Sequence, residues 1–88
     1  MHFLFISEGC PTCFFAQKIL EEKDDAGYVK IVEVQFDSKT RTYITYVDGE
    51  ASGESPINKV PAFYNGKTEQ VFTGEKAIEE IINASWKT

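Results

Sequence analysis

Within its first 36 residues the chain spells a strand, a helix and a second strand, and this order constrains its fold more than any other feature. Phe3 to Ile6 is a short continuous apolar run, the pattern of a strand buried on both faces, and it stops at Ser7-Glu8-Gly9. From Pro11 to about Glu22 the spacing becomes helical. Cys13, Ala16 or Gln17, and Leu20 share one face, Phe15 and Ile19 adjoin it, and proline suits the first helical position. The polar stretch Lys23-Asp24-Asp25-Ala26-Gly27 reads as the helix exit, and Tyr28 to Phe36 is dense in Val, Ile and aromatics, as a strand is. Such a unit argues for a parallel strand pair joined by a right-handed crossover. Cys10 and Cys13 then fall at the carboxyl end of the first strand, where open α/β sheets place their sites.

The rest of the chain is less uniform. Thr40 to Val47 favours strand by propensity, yet Tyr43, Ile44 and Val47 also fall at helical spacing, so the stretch from Asp37 to Ile57 stays open. Asp48 to Pro56 is polar and acidic and reads as a surface loop. Val60 to Tyr64, Asn65-Gly66 and Thr68 to Phe72 spell a hairpin with a type I′ turn, because Asn-Gly readily takes positive φ angles. Gly74 turns the chain into a last helix whose apolar face is Ala77 or Ile78, Ile81, Ile82 and Ser85 or Trp86.

With 88 residues the chain suits one compact domain, residues 1–88, and is too short for two of ordinary size. Acidic residues outnumber Lys and Arg by 14 to 9, and the basic ones are scattered, which argues against nucleic-acid binding. The apolar start is too short for a signal sequence, and no segment approaches the ~20 apolar residues that span a bilayer, so no membrane partner is expected. Two cysteines cannot build the multi-bridge framework of small secreted domains, and a cytoplasmic monomer is the expectation.

The chemistry concentrates in Cys10-Pro11-Thr12-Cys13. Two intervening residues at a helix start let the sulfurs meet in a disulfide while the first stays accessible. Unpaired N–H groups and the positive end of the helix favour a thiolate at Cys10, the expected nucleophile, with Cys13 as the resolving thiol; Glu8 opposes that charge if it points at the sulfur. A structural disulfide, half a zinc site and two inert core cysteines are the alternatives. Zinc takes about four ligands, and His2 is the sole histidine; a disulfide closing so short a loop gains little. The Thr12 hydroxyl either donates to a thiolate or faces water, and water is favoured. At least one of Phe14 and Phe15 is expected in the core, an exposed Phe14 would meet partners, and Tyr43, Tyr46 and Tyr64 are weaker candidates for the mouth of the site.

A proline opens the strand-like run Asn58-Lys59-Val60-Pro61-Ala62-Phe63. With the cysteine pair upstream and Gly74 downstream, the chain resembles the glutaredoxin and thioredoxin family over nearly its whole length. The resemblance implies a thioredoxin fold: an α/β domain with a mixed central sheet of about four strands, a βαβ unit then a ββα unit, and flanking helices. It also implies that Pro61 is cis and that the main chain of Val60 pairs with a peptide or glutathione backbone. Pro11, Thr12, Lys59, Val60, Pro61, Gly74 and Glu75 become the substrate-binding set. In it Lys59 would receive a glutathione carboxylate, and Gly74 and Glu75 would greet its ammonium, although an acidic first turn suits any helix. Ser7-Glu8-Gly9 stands where the family often has a lysine, and Thr12 where glutaredoxins often have tyrosine.

The function so implied is thiol–disulfide exchange, reducing protein or glutathione mixed disulfides through Cys10 and Cys13, with glutathione as co-substrate and neither a metal nor a bound cofactor. Partners would be disulfide-containing proteins, with ribonucleotide reductase or a thioredoxin reductase as candidates. The alternatives are a thioredoxin-like carrier recharged by a flavoprotein reductase, and a non-enzymatic binding module, either redox-dead or holding an iron–sulfur cluster.

Overall fold

The computed structural model describes residues 2–23, 27–55 and 57–83. In chain order its elements are β1 (His2–Ile6), α1 (Pro11–Glu22), β2 (Val29–Asp37), β3 (Thr42–Val47), β4 (Glu50–Glu54), β5 (Ala62–Asn65), β6 (Gln70–Thr73) and α2 (Glu75–Asn83). The strands form one mixed sheet in the order β4-β3-β2-β1-β5-β6. β1 pairs parallel with β2, Leu4 opposite Ile31, and antiparallel with β5, Leu4 opposite Phe63; the outer pairs are all antiparallel. No helix among the described residues is long and apolar enough to cross a membrane.

This architecture corrects the expected one. A sheet of six strands with two helices is not a four-stranded thioredoxin fold with flanking helices. The departure lies between β2 and β5, where the chain adds two strands to the β2 edge. The segment expected as a loop forms β4, all five of its residues exposed. A strand with no buried residue shows no hydrophobic alternation, so its signal is confined to the turn before it. Asp48 and Gly49 both take positive φ there, 53° and 84°, as a type I′ hairpin turn requires. At β3, strand propensity prevails over the helical spacing of Tyr43, Ile44 and Val47.

Alternation along the strands divides the core between the two faces of the sheet. Leu4, Val29 and Phe63 pack with Ala16 and Leu20 of α1 and Ala77 and Ile81 of α2. Phe5, Val34 and Ala62 point the other way and meet Ile57 from the β4–β5 connection, with Phe3, Val32, Tyr43 and Tyr64 at the margin. Both helices contribute to the first cluster and neither to the second.

The hairpin of β5 and β6 forms, but not around the expected two-residue turn. Asn65 pairs with Gln70 across a four-residue loop, and Glu69, not Gly66, takes a positive φ of 59°. This register sets Phe63 opposite Phe72 and Tyr64 opposite Val71. A turn on Asn65-Gly66 would instead place Phe63 against Thr68, so apolar pairing overrides turn propensity. Asn65 Oδ1 accepts from Lys67 N at 2.9 Å, and Glu69 N donates to Asn65 O at 2.8 Å. The β2–β3 loop repeats this build: Asp37 Oδ1 accepts from Lys39 N at 2.9 Å, Arg41 N donates to Asp37 O at 2.7 Å, and Arg41 has φ 58°. The expected helix-exit residues 24–26, the loop residue Pro56, and Ser85 and Trp86 of the last helical face lie outside the described residues.

Candidate active site

β1 delivers the chain to the cysteines, and the start of α1 holds them. Cys10 is the N-cap of α1, in extended conformation, and Pro11 takes the first helical position without leaving an N–H unpaired. An N-cap ordinarily offers a side-chain oxygen to an early N–H of the helix. Here the Cys10 Sγ fills that place, accepting from Cys13 N at 3.1 Å, and Phe14 N donates to Cys10 O at 3.2 Å. The two sulfurs are within disulfide distance, with Cα atoms 5.2 Å apart.

The two cysteines differ in access. Cys10 is half-buried, whereas Cys13 is 1% exposed in the core-facing stripe with Ala16 and Leu20. Thr12, expected to face water, is exposed but also brings its Oγ1 to 3.5 Å from Cys10 Sγ. No acidic residue occupies the first turn of α1, but Glu8, exposed two residues before Cys10, borders the same cleft as the sulfur and is the carboxylate placed to oppose its charge. Phe14 and Phe15 are both exposed, Phe14 at 72%, against the expectation that one would enter the core: Cys13, Ala16 and Leu20 occupy the inward stripe and leave no inward place for either ring.

Because β5 runs antiparallel to β1, with Ala62 opposite Phe5, the segment before β5 lies at the same end of the sheet as Cys10. The Val60–Pro61 peptide is cis and Pro61 is fully buried. Pro61 O accepts from Gly74 N at 2.8 Å, which ties this segment to the start of α2. Gly74 has φ +60° and carries Lys59 against it: a Cβ there would meet Lys59 Nζ at 3.2 Å. The positive φ is what favours glycine here, since the lysine tail is flexible and could yield to a Cβ. Lys59, Val60, Pro61 and Gly74 form one assembly, with Glu75 exposed in the first turn of α2.

An open cleft of about 380 Å³ lies along the other flank of the cysteines. Residues 6–10 form one wall, Cys13, Phe14 and Gln17 of α1 another, and residues 33–35 of β2 complete it. Tyr43, Tyr46 and Tyr64 do not line it; Tyr43 and Tyr64 pack on the opposite face of the sheet. Sequence reasoning missed Gln17, Glu33 and Gln35. Their signal is the change in β2 from apolar Val29 and Ile31 to polar Glu33 and Gln35 at alternate positions, where the helix-covered part of the face ends. Among the described residues no group of three or more His, Cys, Asp or Glu side chains is placed to hold a metal ion. Comparison of the chain with protein-family models, with curated proteins and with solved structures gave no match in any of the three.

Proposed function

We propose that the protein is a thiol–disulfide oxidoreductase of glutaredoxin type, with Cys10 as nucleophile and Cys13 as resolving thiol. The observation that carries this reading is the position of the Cys10 sulfur as the helix N-cap, accepting from Cys13 N while its partner sulfur is buried. A sulfur so placed is stabilised as thiolate by the N–H and by the positive end of α1, and its access makes it the attacking atom.

In the reduced protein, Cys10 thiolate attacks one sulfur of a substrate disulfide. The S–S bond breaks, a bond to Cys10 forms, and the first thiolate leaves and takes a proton from water. Cys13, losing its proton, then attacks Cys10 Sγ, releases the second half of the substrate as thiol, and closes the Cys10–Cys13 disulfide. The substrate gains two electrons and two protons, and an external thiol or a flavoprotein reductase restores the dithiol. Lys59 over Gly74 supports a glutathione carboxylate on the Pro61 flank, whereas Glu8 in the segment before the cysteines favours the reductase-coupled carrier.

The test is turnover of hydroxyethyl disulfide with NADPH, coupled in parallel to glutathione with its reductase and to thioredoxin reductase. Activity with either, abolished by Cys10→Ser, is the expected result. Cys13→Ser should accumulate mixed disulfides at Cys10. Equal alkylation rates at both thiols of the reduced protein would overturn the assigned roles, and silence with both reductants would leave a binding module.

A further inference from the structure

The cleft beside Cys10 and Cys13 has a charge of its own. Among the described residues its only charged lining groups are Glu8, before the cysteines, and Glu33 on β2, both exposed. No described Lys, Arg or His lines it, and the one cation of the candidate binding set, Lys59, lies against Gly74 outside this lining. Two amides, Gln17 and Gln35, supply further acceptors, and the exposed ring of Phe14 offers an aromatic surface of the kind that attracts cations. The net charge of −5 adds a field of the same sign.

We infer that this cleft makes the exchange selective for disulfides that carry positive charge beside the sulfur, such as a diamine disulfide or a peptide with Lys or Arg next to its cystine. The inference rests on the exchange reading above: the cysteines make the cleft a site, and the carboxylates, amides and aromatic ring decide what it takes. A cationic group seated there faces Glu8 and Glu33, while an anionic one meets two like charges and no counter-ion. Glu8, at odds with a glutathione carboxylate anchor, becomes a specificity residue.

The experiment measures second-order rates of the dithiothreitol-reduced, desalted full chain with three disulfides: cystamine, neutral hydroxyethyl disulfide and dithiodipropionate. Each rate is divided by that of a small dithiol, so that intrinsic reactivity cancels. The normalised cystamine-to-dithiodipropionate ratio should exceed one by about tenfold at low ionic strength and shrink with added salt. It should fall toward one in Glu8→Gln/Glu33→Gln, with Glu8→Gln alone in between. Glu22→Gln/Glu69→Gln removes the same charge from the last turn of α1 and the β5–β6 turn, at the end of the sheet away from the cysteines, and should keep the wild-type ratio. A ratio unmoved by Glu8→Gln/Glu33→Gln, or lowered equally by Glu22→Gln/Glu69→Gln, overturns the selectivity while reaction with hydroxyethyl disulfide upholds the exchange. Failure of all three disulfides to react overturns both.

Discussion

At one end of the sheet, β1, β5 and β6 lie against the helices; at the other, β3 and β4 add no residue to the helix-side core. The first region is held by burial. Leu4, Ala16, Phe63, Ala77 and Ile81 are wholly inaccessible, and the cysteines sit at its rim. The second is held by its own ladder, by turns, and by local contacts such as the edge-on pair of Phe36 and Tyr43 with ring centres 5.3 Å apart. Ser55 fastens its far end, with its N–H donating to Tyr43 O at 2.7 Å and its hydroxyl bonded to that of Thr45. The difference teaches that the chain spends its apolar residues where the candidate chemistry is and extends the sheet with backbone pairing elsewhere.

The sharpest way to break this comparison is to truncate one side chain in each region. Phe63→Ala, in the fully buried centre, should cost about 3–5 kcal/mol in urea unfolding. Tyr46→Ala, half-buried on β3, should cost under about 2 kcal/mol. Equal losses would show that the β3–β4 region belongs to one uniform core after all.

The next effect tests the turn. Gly49 has φ 84° and open space where a Cβ would stand, so Gly49→Ala meets only backbone strain and should cost about 1–2 kcal/mol. A neutral result in the same unfolding assay would mean that the hairpin tolerates another turn, and that its pairing rather than Asp48-Gly49 sets the register.

These contrasts follow what was legible in the sequence. β1, α1, the β5–β6 hairpin and α2 announced themselves because each buries a face, and burial writes period 2 or 3.6 into the residues. β4 buries nothing, so Glu50-Ala51-Ser52-Gly53-Glu54 looks like any polar loop; with β3 left open between strand and helix, the expected sheet had about four strands where there are six. The cysteine pair was singled out by its spacing at a helix start, whereas Lys59, Val60, Pro61 and Gly74 were singled out only through the resemblance to the glutaredoxin and thioredoxin family. Glu33 and Gln35 were not, since a polar residue in a strand says only that its side is uncovered; what shares that side is decided by the tertiary fold.

The smallest effect concerns the helix-covered region and is read through pH. His2, stacked on Phe63, accepts from Gly66 N at its Nδ1 at 3.0 Å, and burial, aided by nearby positive charge including Lys67, lowers its pKa from the ordinary 6.5. The folded protein therefore resists the proton that the unfolded chain binds. His2's contribution is full above about pH 6.5 and is lost as the pH falls from there toward the folded value. Unfolding midpoints at pH 7.5 and 5.5 should diverge more for the wild type than for His2→Gln, and identical slopes would remove His2 from the balance.

The same bond bears on how the protein ages. Asn-Gly is the dipeptide most given to losing its amide, because the unhindered glycine nitrogen attacks the asparagine carboxamide and closes a succinimide. Here the Gly66 nitrogen is turned to His2, Asn65 Oδ1 is held by the N–H groups of Lys67 and Thr68, and Asn65 is 5% exposed. Isoaspartate at residue 65 should then accumulate in urea and not in native buffer, as mass spectrometry of stored samples would register. Chemical lifetime at this position is thus set by how often the loop opens, which makes a slow covalent clock out of a turn.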